Sequence, residues 1–397
     1  MMLRHAAPLQ DGPRGPPGAH RPKDGPERSL WWTAALLLSV SVAGSAAPAS
    51  GGPAPTPGEA AILRAAAPRV RGGYQWRLPR GFPVPAVPAD NPMSAAKVVL
   101  GRRLFFDPRL SVTGHYSCAS CHDPARAYSD GRILAIGATG ARLDRNAMAL
   151  VNVAYNISFG WGHPEIHSLE QQMRQPLFNQ HPVELGLTGR EEAVVRALAA
   201  DPRYPSLFQH AFGGSATGAS SAPAAGSPIS IPNAIKAIAA FERTLIAGDS
   251  AFDRYVFGGD SRALSPAAKR GMALFYSTRL GCGGCHSGFN FAGNWRDSQG
   301  ETGPASFADN GTGVVVRVPT LRDVTRTAPY MHDGRYATLD QVLSHYERAG
   351  AQPVAARTGD KRLQRFTLTP AERADLEAFL AGLSSAGPRA RRAPAGG

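Results

Sequence analysis

Residues 116–131 read YSCASCHDPARAYSDG and residues 280–295 read LGCGGCHSGFNFAGNW. All four cysteines of the chain fall in these two stretches, each pair spaced i, i+3 and followed at once by a histidine. Two thiols at that spacing can bond both vinyl groups of a haem while the adjacent imidazole takes an axial position on the iron, so attachment and ligation come from one turn of chain. Zinc would want two C-x-x-C pairs converging on one ion, with no need for the neighbouring His. A thiol redox pair would need no His at all. The doubled C-x-x-C-H therefore predicts two covalently bound c-type haems. Cys118 and Cys121 carry the first, with His122 as its proximal ligand; Cys282 and Cys285 carry the second, with His286.

The rest of the composition suits such a protein. A chain of 397 residues with 43% hydrophobic residues is long enough for two or three domains with real cores. Gly (44) and Pro (34) are abundant while aromatics reach only 8%, which points to irregular backbone wrapped around something other than a large sheet. The formal charge is +13 and the isoelectric point is near 10, but the basic residues are scattered, mostly Arg, and form no Lys/Arg run. That pattern argues against nucleic acid as a partner, and haem propionates would cancel several of the charges. Leu30–Ala47, LWWTAALLLSVSVAGSAA, is apolar, follows Arg28 and ends in small residues, the form of a secretory signal. An uncleaved membrane anchor is the alternative, and either places the remainder outside the cytoplasm, in the periplasm.

Along the chain, the expected organisation is a signal or anchor (1–47), a Pro/Ala/Gly-rich linker (48–75), an N-terminal haem domain (76–258), a C-terminal haem domain (259–384) and a basic tail (385–397). NPMSAAKVVLGRRLFFDPRL (91–110) predicts a helix with Leu100, Leu104 and Phe105 on one side, stopped by Pro108. LTGREEAVVRALAADP (187–202) predicts one opened by a Thr188/Glu191 capping box, and IPNAIKAIAAFERTLIAGD (231–249) another. FGGSATGASSAPAAGSP (212–228), between them, reads as a low-complexity loop. LSPAAKRGMALFYS (264–277) opens with Ser265 as cap and Pro266 at the first position, then leads into the second C-x-x-C-H, repeating the helix-then-motif order of the first half. In LTPAERADLEAFLAGLSS (368–385), Thr369 and Glu372 box the start, and Leu376, Phe379, Leu380 and Leu383 form an apolar stripe. No alternating strand pattern appears. The expected fold is mainly α: two cytochrome-c-like haem domains joined by long irregular loops.

Four segments carry a family resemblance: LFFDPRLSVTGHYSCASCHDPARAYSDG (104–131), NVAYNISFGWGHPEIHSLEQQM (152–173) with PLFNQHPVELGL (176–187), IAAFERTLIAGDSAFDRYVFGGD (238–260), and VPTLRDVTRTAPYMHDGRYATLDQVLSHY (318–346). The chain resembles the bacterial di-haem cytochrome c peroxidase superfamily from Ala95 to Ser384, most closely its MauG-like branch and within that the MbnH-type enzymes. The resemblance implies a Ca²⁺ ion between two haem domains and hydrogen peroxide as oxidant. In the peroxidases a Met fourteen residues after the His of the PY-x-H segment closes the second haem; counting from His332 lands on Tyr346, so the resemblance makes Tyr346 the axial ligand of haem two, as in MauG. By itself the segment LDQVLSHYERAG allows Tyr346 to be a packing aromatic, and Met331 and His345 are the other ligand candidates.

The resemblance also speaks to haem one. Members that need reductive activation carry a gating His sixteen residues after the proximal one; here that position is Ala138, which implies an open haem. The distal carboxylate of the family falls on Glu170 in SLEQQ, suited to move a proton between peroxide oxygens. Pro164 matches a pocket-wall position, and Gly160 stands where a Gln is expected. Asn146, Thr327 and Pro329 match the calcium ligands, and Arg317 an arginine that pairs with propionates. Trp161, Tyr155 and Trp295 are candidate aromatic bridges between the haems.

The implied function is an H₂O₂-dependent oxidoreductase that pools two oxidising equivalents over both haems and oxidises an aromatic residue, a Trp, of a small exported partner protein. The rivals are a scavenging peroxidase fed by a small cytochrome or cupredoxin, and an electron carrier with both haems six-coordinate.

Overall fold

The computed structural model describes residues 74–213, 227–293, 295–302, 307–309, 314–351, 363 and 365–385. These belong to one compact unit, Val70–Gly397; the other, Met1–Arg69, lies outside the described residues, as do the leader, nearly all of the linker and the low-complexity loop, and the basic tail past Ser385. Among the described residues no helix is long and apolar enough to cross a membrane.

Two helix pairs organise the fold. The first helix, α1 (Ala95–Phe105), starts at Ser94, whose side chain accepts from Lys97 N, and buries Leu100, Leu104 and Phe105. After two short helices, α2 (Leu169–Gln172) and α3 (Arg174–Phe178), come α4 (Glu191–Ala199), α5 (Arg203–Phe212) and α6 (Ile231–Glu242). α1 crosses α6 at Gly101, where an added Cβ would lie 1.8 Å from the Ala237 carbonyl oxygen. The second half repeats the device. After α7 (Ala251–Val256), α8 (Pro266–Phe275) crosses α10 (Pro370–Ala381) at Gly271, where a Cβ would lie 1.9 Å from the Asp375 oxygen. In each half the first helix of the pair leads into a C-x-x-C-H turn, and the helix that crosses it comes late in that half. Between α8 and α10 runs α9 (Leu339–Ala351).

Each pair has its own core. One is built from residues between Leu100 and Ala247, centred on Phe105, Tyr204, Phe208 and Phe241. The other runs from Phe252 to Leu383, centred on Phe275, Phe291 and Phe379 with Leu376, Leu380 and Leu383. Each such fully buried Leu or Phe contributes about 1.5–3 kcal/mol.

The Ser265 and Thr369 caps form as expected, the latter with Glu372 in a reciprocal box. The Thr188 cap does not. α4 begins at Glu191 behind Arg190, and the Thr188 hydroxyl instead donates to the Phe178 carbonyl at 3.0 Å, tying the turn to α3. Strands also occur where none was expected: β1 (Trp295–Asp297) pairs antiparallel with β2 (Gly300–Thr302), and β3 (Phe307–Asp309) with β4 (Val315–Arg317). At three residues each they are too short to leave an alternating pattern.

Candidate active site

The two C-x-x-C-H turns are built alike. Cys118–Ser120 and Cys282–Gly284 are single 3₁₀ turns, and in both the histidine N–H donates to the carbonyl of the first cysteine, at 3.0 Å for His122 and 2.9 Å for His286. His122 Nδ1 lies 2.8 Å from the Tyr128 carbonyl oxygen, and His286 Nδ1 lies 3.0 Å from that of Phe291. Both acceptor residues have left-handed backbone, φ 62° at Tyr128 and 52° at Phe291. A strained turn thus presents the carbonyl that fixes each ring through Nδ1, so Nε2 is the ring nitrogen that would serve as ligand. Burial lowers the pKa of both imidazoles, which favours the neutral form that binds metal.

Around the second turn lies a large, mostly apolar cavity. It is lined by Cys282, Cys285, His286 and Tyr346, and also by Met331 and Arg317. Tyr346 keeps partial exposure because it faces this cavity; burial raises its phenol far above the ordinary range, and the Cys282 and Cys285 sulfurs lie close enough to add to the effect. His345 is not among the lining residues; its Nδ1 lies 3.1 Å from the Tyr336 hydroxyl.

Arg317 tests whether a haem fits here. It is 5% exposed, its Nε is buried with no hydrogen-bond partner, and no described carboxylate pairs with it. Burial alone pushes its pKa down to about 10. A buried guanidinium without an anion is costly, so the cavity wants a carboxylate that the described residues do not supply, which is what a haem propionate brings.

Asn146, Thr327 and Pro329, the three residues matched to calcium, all line the same cavity. Asn146 spends its Nδ2 on the Arg132 carbonyl at 2.7 Å and its backbone oxygen on Trp161 Nε1 at 2.8 Å. Among the described residues no group of three His, Cys, Asp or Glu is placed to hold an ion. A cation at Asn146 would depend on amide and carbonyl oxygens, as a hard cation accepts.

In the N-terminal half, Glu170 is the second residue of α2, whose cap Ser168 accepts from Gln171 N. Its carboxylate is gripped by Arg243, with NH1 at 2.8 Å from Oε1 and NH2 at 2.7 Å from Oε2, and Asn91 Nδ2 also donates to Oε1. Burial would raise its pKa, but the bidentate arginine and Asn91 outweigh that and hold it below the usual carboxylate range. Arg243 and Asn91 were not singled out in the sequence. Arg243 has a signal, the Glu-Arg pair that ends the mostly apolar α6; Asn91 has none.

Pro164 is exposed in the turn closed by Ile166 N to His163 O. Gly160 has φ +83°, and a Cβ there would meet His163 at 3.1 Å, so the backbone itself disfavours the expected Gln. Ala138 is buried, its N–H donating to the Glu184 carbonyl, and it sits in a short hairpin closed by Gly137 N to Ala141 O at 2.8 Å. Of the candidate bridges, Trp161 lines the haem-two cavity, while Tyr155 and Trp295 each pack edge-on to Phe289, at 4.8 and 5.4 Å between ring centres.

A mainly helical chain with two oriented C-x-x-C-H turns, one of them facing a Tyr-lined cavity, is a di-haem c-type redox protein in its architecture. The sequence pattern of di-haem cytochrome c peroxidases matches residues 95–261. The methylamine utilization protein MauG of Methylorubrum extorquens is 35% identical over 322 residues, 78% of this chain and 84% of that protein. The cytochrome c551 peroxidase of Nitrosomonas europaea is 33% identical over 66% of this chain and 75% of its own. The crystal structure of a MauG-like protein associated with microbial copper homeostasis superposes with a TM-score of 0.70 at 33% identity, covering 79% of this chain and 96% of that one. The chain belongs to the di-haem cytochrome c peroxidase family and is an enzyme of that class; the family implies two c-type haems and hydrogen peroxide as oxidant.

Proposed function

We propose that this protein is a periplasmic MauG-like enzyme that uses peroxide at haem one to oxidise an aromatic residue, a Trp, of a small partner protein, with haem two holding the second oxidising equivalent. The observation that carries this reading is the cavity in which Tyr346 and His286 share the lining with both attachment cysteines. The bound haems supply the redox chemistry; the chain supplies ligands, proton handling and insulation. Cys118, Cys121 and His122 hold haem one, and Cys282, Cys285, His286, Tyr346 and Arg317 hold haem two. An anionic phenolate favours higher iron oxidation states, where a Met thioether would raise the potential. The domain boundary is read at 258/259, although the second core already takes in Phe252, with Tyr255 and Phe257 packed against it, and Ca²⁺ is held by Asn146, Thr327 and Pro329. The likeness to a MauG-like protein associated with copper homeostasis makes a small exported copper-handling protein the substrate to try first.

Glu170, ionised and fixed by Arg243, accepts a proton from one peroxide oxygen and returns it to the other, and Pro164 flanks the entrance. Replacing Tyr346 with Phe should change the low-spin haem spectrum of the ferric holoprotein and leave the high-spin set alone. An unchanged low-spin spectrum would remove Tyr346 as ligand. Because Ala138 carries no ligating group, the fully ferric enzyme should react with H₂O₂ without prior one-electron reduction; stopped-flow mixing that stays silent until a donor is added would overturn the open-site reading.

The relatives named as cytochrome peroxidases keep a second reading in play, scavenging with electrons from a small cytochrome or cupredoxin. Steady turnover of such a donor, with no oxidised aromatic found by mass spectrometry in a co-purified partner, would favour it.

A further inference from the structure

Glu242 is the last residue of α6, directly before the cap Arg243, and has no part in the reading above. It is 4% exposed, and its Oε2 is sealed from solvent with no hydrogen-bond partner. Arg243, the C-cap that follows it, turns both guanidinium nitrogens to Glu170. From α2, Glu170 faces Glu242 as a second negative charge, and from the haem-one attachment turn Cys118 lies within its electrostatic reach. Two lysines of the neighbourhood are engaged elsewhere: Lys97 of α1 donates to Asn91 Oδ1 at 3.0 Å and to the Pro92 carbonyl at 2.9 Å, and Lys236 of α6 to the Asp90 carbonyl at 2.8 Å.

The packing locates it further. One turn back on α6, Ala239 packs with Val153, Phe159, Ile166 and Leu169, the cluster beneath Glu170. Phe241 packs edge-on against Phe105 at 5.2 Å between ring centres, and Phe105 in turn lies 6.5 Å from the His122 ring. Glu242 therefore sits between the aromatic wall behind the proximal histidine and the arginine-held carboxylate. An ionised carboxylate with no donor there would be costly, so the group keeps its proton. Burial is the main cause, Arg243 opposes it and Glu170 adds to it, and the pKa is raised to about 8.

We propose that Glu242 is the proton relay that serves haem one while the enzyme takes up electrons. The proposal rests on the assignment of Glu170 to the peroxide step. Cleaving the O–O bond only relocates a proton that the peroxide already carries. Taking one H₂O₂ to two waters consumes two electrons and two protons: the reductant supplies the electrons, and the protons must enter through a group that holds one at working pH. Glu170, kept ionised, cannot store one. Glu242 releases its proton toward the site, becomes a carboxylate beside Arg243, and is reprotonated from solvent before the second transfer. Two carboxyls on either side of one arginine, one held ionised and one held neutral, thus divide the proton work.

The test uses the di-haem holoprotein. Infrared difference spectra at neutral pH should show a protonated carboxyl band that is absent in Glu242→Gln, and in the wild type that band should fade as pH rises through about 8. After one equivalent of peroxide, return to the ferric state on adding reductant should slow by about 10²-fold in Glu242→Gln relative to the peroxide step. Glu242→Asp, which keeps an acid, should recover part of that loss. Wild-type return should be fast below the carboxyl's pKa and fall above it, a limb missing in Glu242→Gln. A wild-type spectrum without the protonated band, or a Gln variant that slows both phases equally with no recovery in Asp, would overturn the relay and leave Glu242 a packing residue. Failure of the Glu170 reading appears separately, as an unchanged peroxide step in Glu170→Gln.

Discussion

Glu170→Gln should slow the reaction of the ferric holoprotein with one equivalent of H₂O₂ by about 10²- to 10⁴-fold, with haem content and the low-spin spectrum intact. Gln keeps the size of the side chain and an oxygen for Arg243 and Asn91, but it cannot take a proton. The structure adds a second, separable effect. Arg243 is 4% exposed at its side chain, and its carboxylate partner is the one removed. Breaking a buried pair from one side costs about 3–5 kcal/mol, so the denaturation midpoint should fall along with the rate. Glu170→Asp keeps the charge at a shorter reach and should lose less of both. The pH dependence has a definite sign. Because Arg243 and Asn91 hold the folded pKa below the usual value, the pair's contribution to stability is complete above the ordinary carboxylate range. It is lost as pH falls through the depressed value, and the acid limb of the peroxide reaction should lie in that same low window. Equal rates for wild type and Glu170→Gln would remove Glu170 from the chemistry and leave it a structural partner of Arg243.

What the sequence made legible was what is contiguous in it. A C-x-x-C-H turn carries attachment and ligation in five residues, and the Ser265 and Thr369 caps lie within three residues of the groups they bind. The Thr188 cap failed although its spacing was correct, because its hydroxyl found a partner in Phe178, ten residues back, that only the tertiary fold supplies. The same limit applies at Glu170. Its partners Asn91 and Arg243 are 79 and 73 residues away, so a carboxylate recognised by its local motif gave no hint that it is tied down by an arginine. Glu242 was hidden for a related reason: a charged residue in an apolar helix is visible, but that its neighbour's guanidinium turns elsewhere and leaves it neutral depends on where α2 packs. The count from His332 to Tyr346 reached a cavity-lining residue because the intervening turn and α9 are continuous, whereas Pro164, matched by pattern to a pocket wall, lies exposed in its turn.

Asp253→Ala should destabilise the haem-two half by about 3–5 kcal/mol, the cost of stranding a buried charge. The stranded group is Arg322, 1% exposed at its side chain, whose NH1 and NH2 each lie 2.8 Å from an Asp253 oxygen. Its Nε donates to the Phe289 carbonyl at 2.8 Å, and its Cζ lies 4.6 Å from the Phe82 ring centre and 5.6 Å from that of Phe291. Asp253 in turn caps α7 reciprocally with Ser250, accepting from both its N–H and its hydroxyl. Removing the carboxylate therefore unties α7 and the loop 289–291 together. That loop ends at Phe291, whose carbonyl orients His286, so the loss should reach the haem as well as the fold. Chemical denaturation followed through the low-spin haem signal should show the lowered midpoint, and in the absence of denaturant the same signal should broaden. Arg322→Lys should also be costly, since an ammonium cannot form the two-nitrogen fork to Asp253. The double variant Asp253→Ala, Arg322→Met should lose less than the sum of its single changes, because a pair removed from both sides leaves no charge behind. Additive losses in that cycle would show that the two side chains act independently and that packing alone holds the haem-two loop in place.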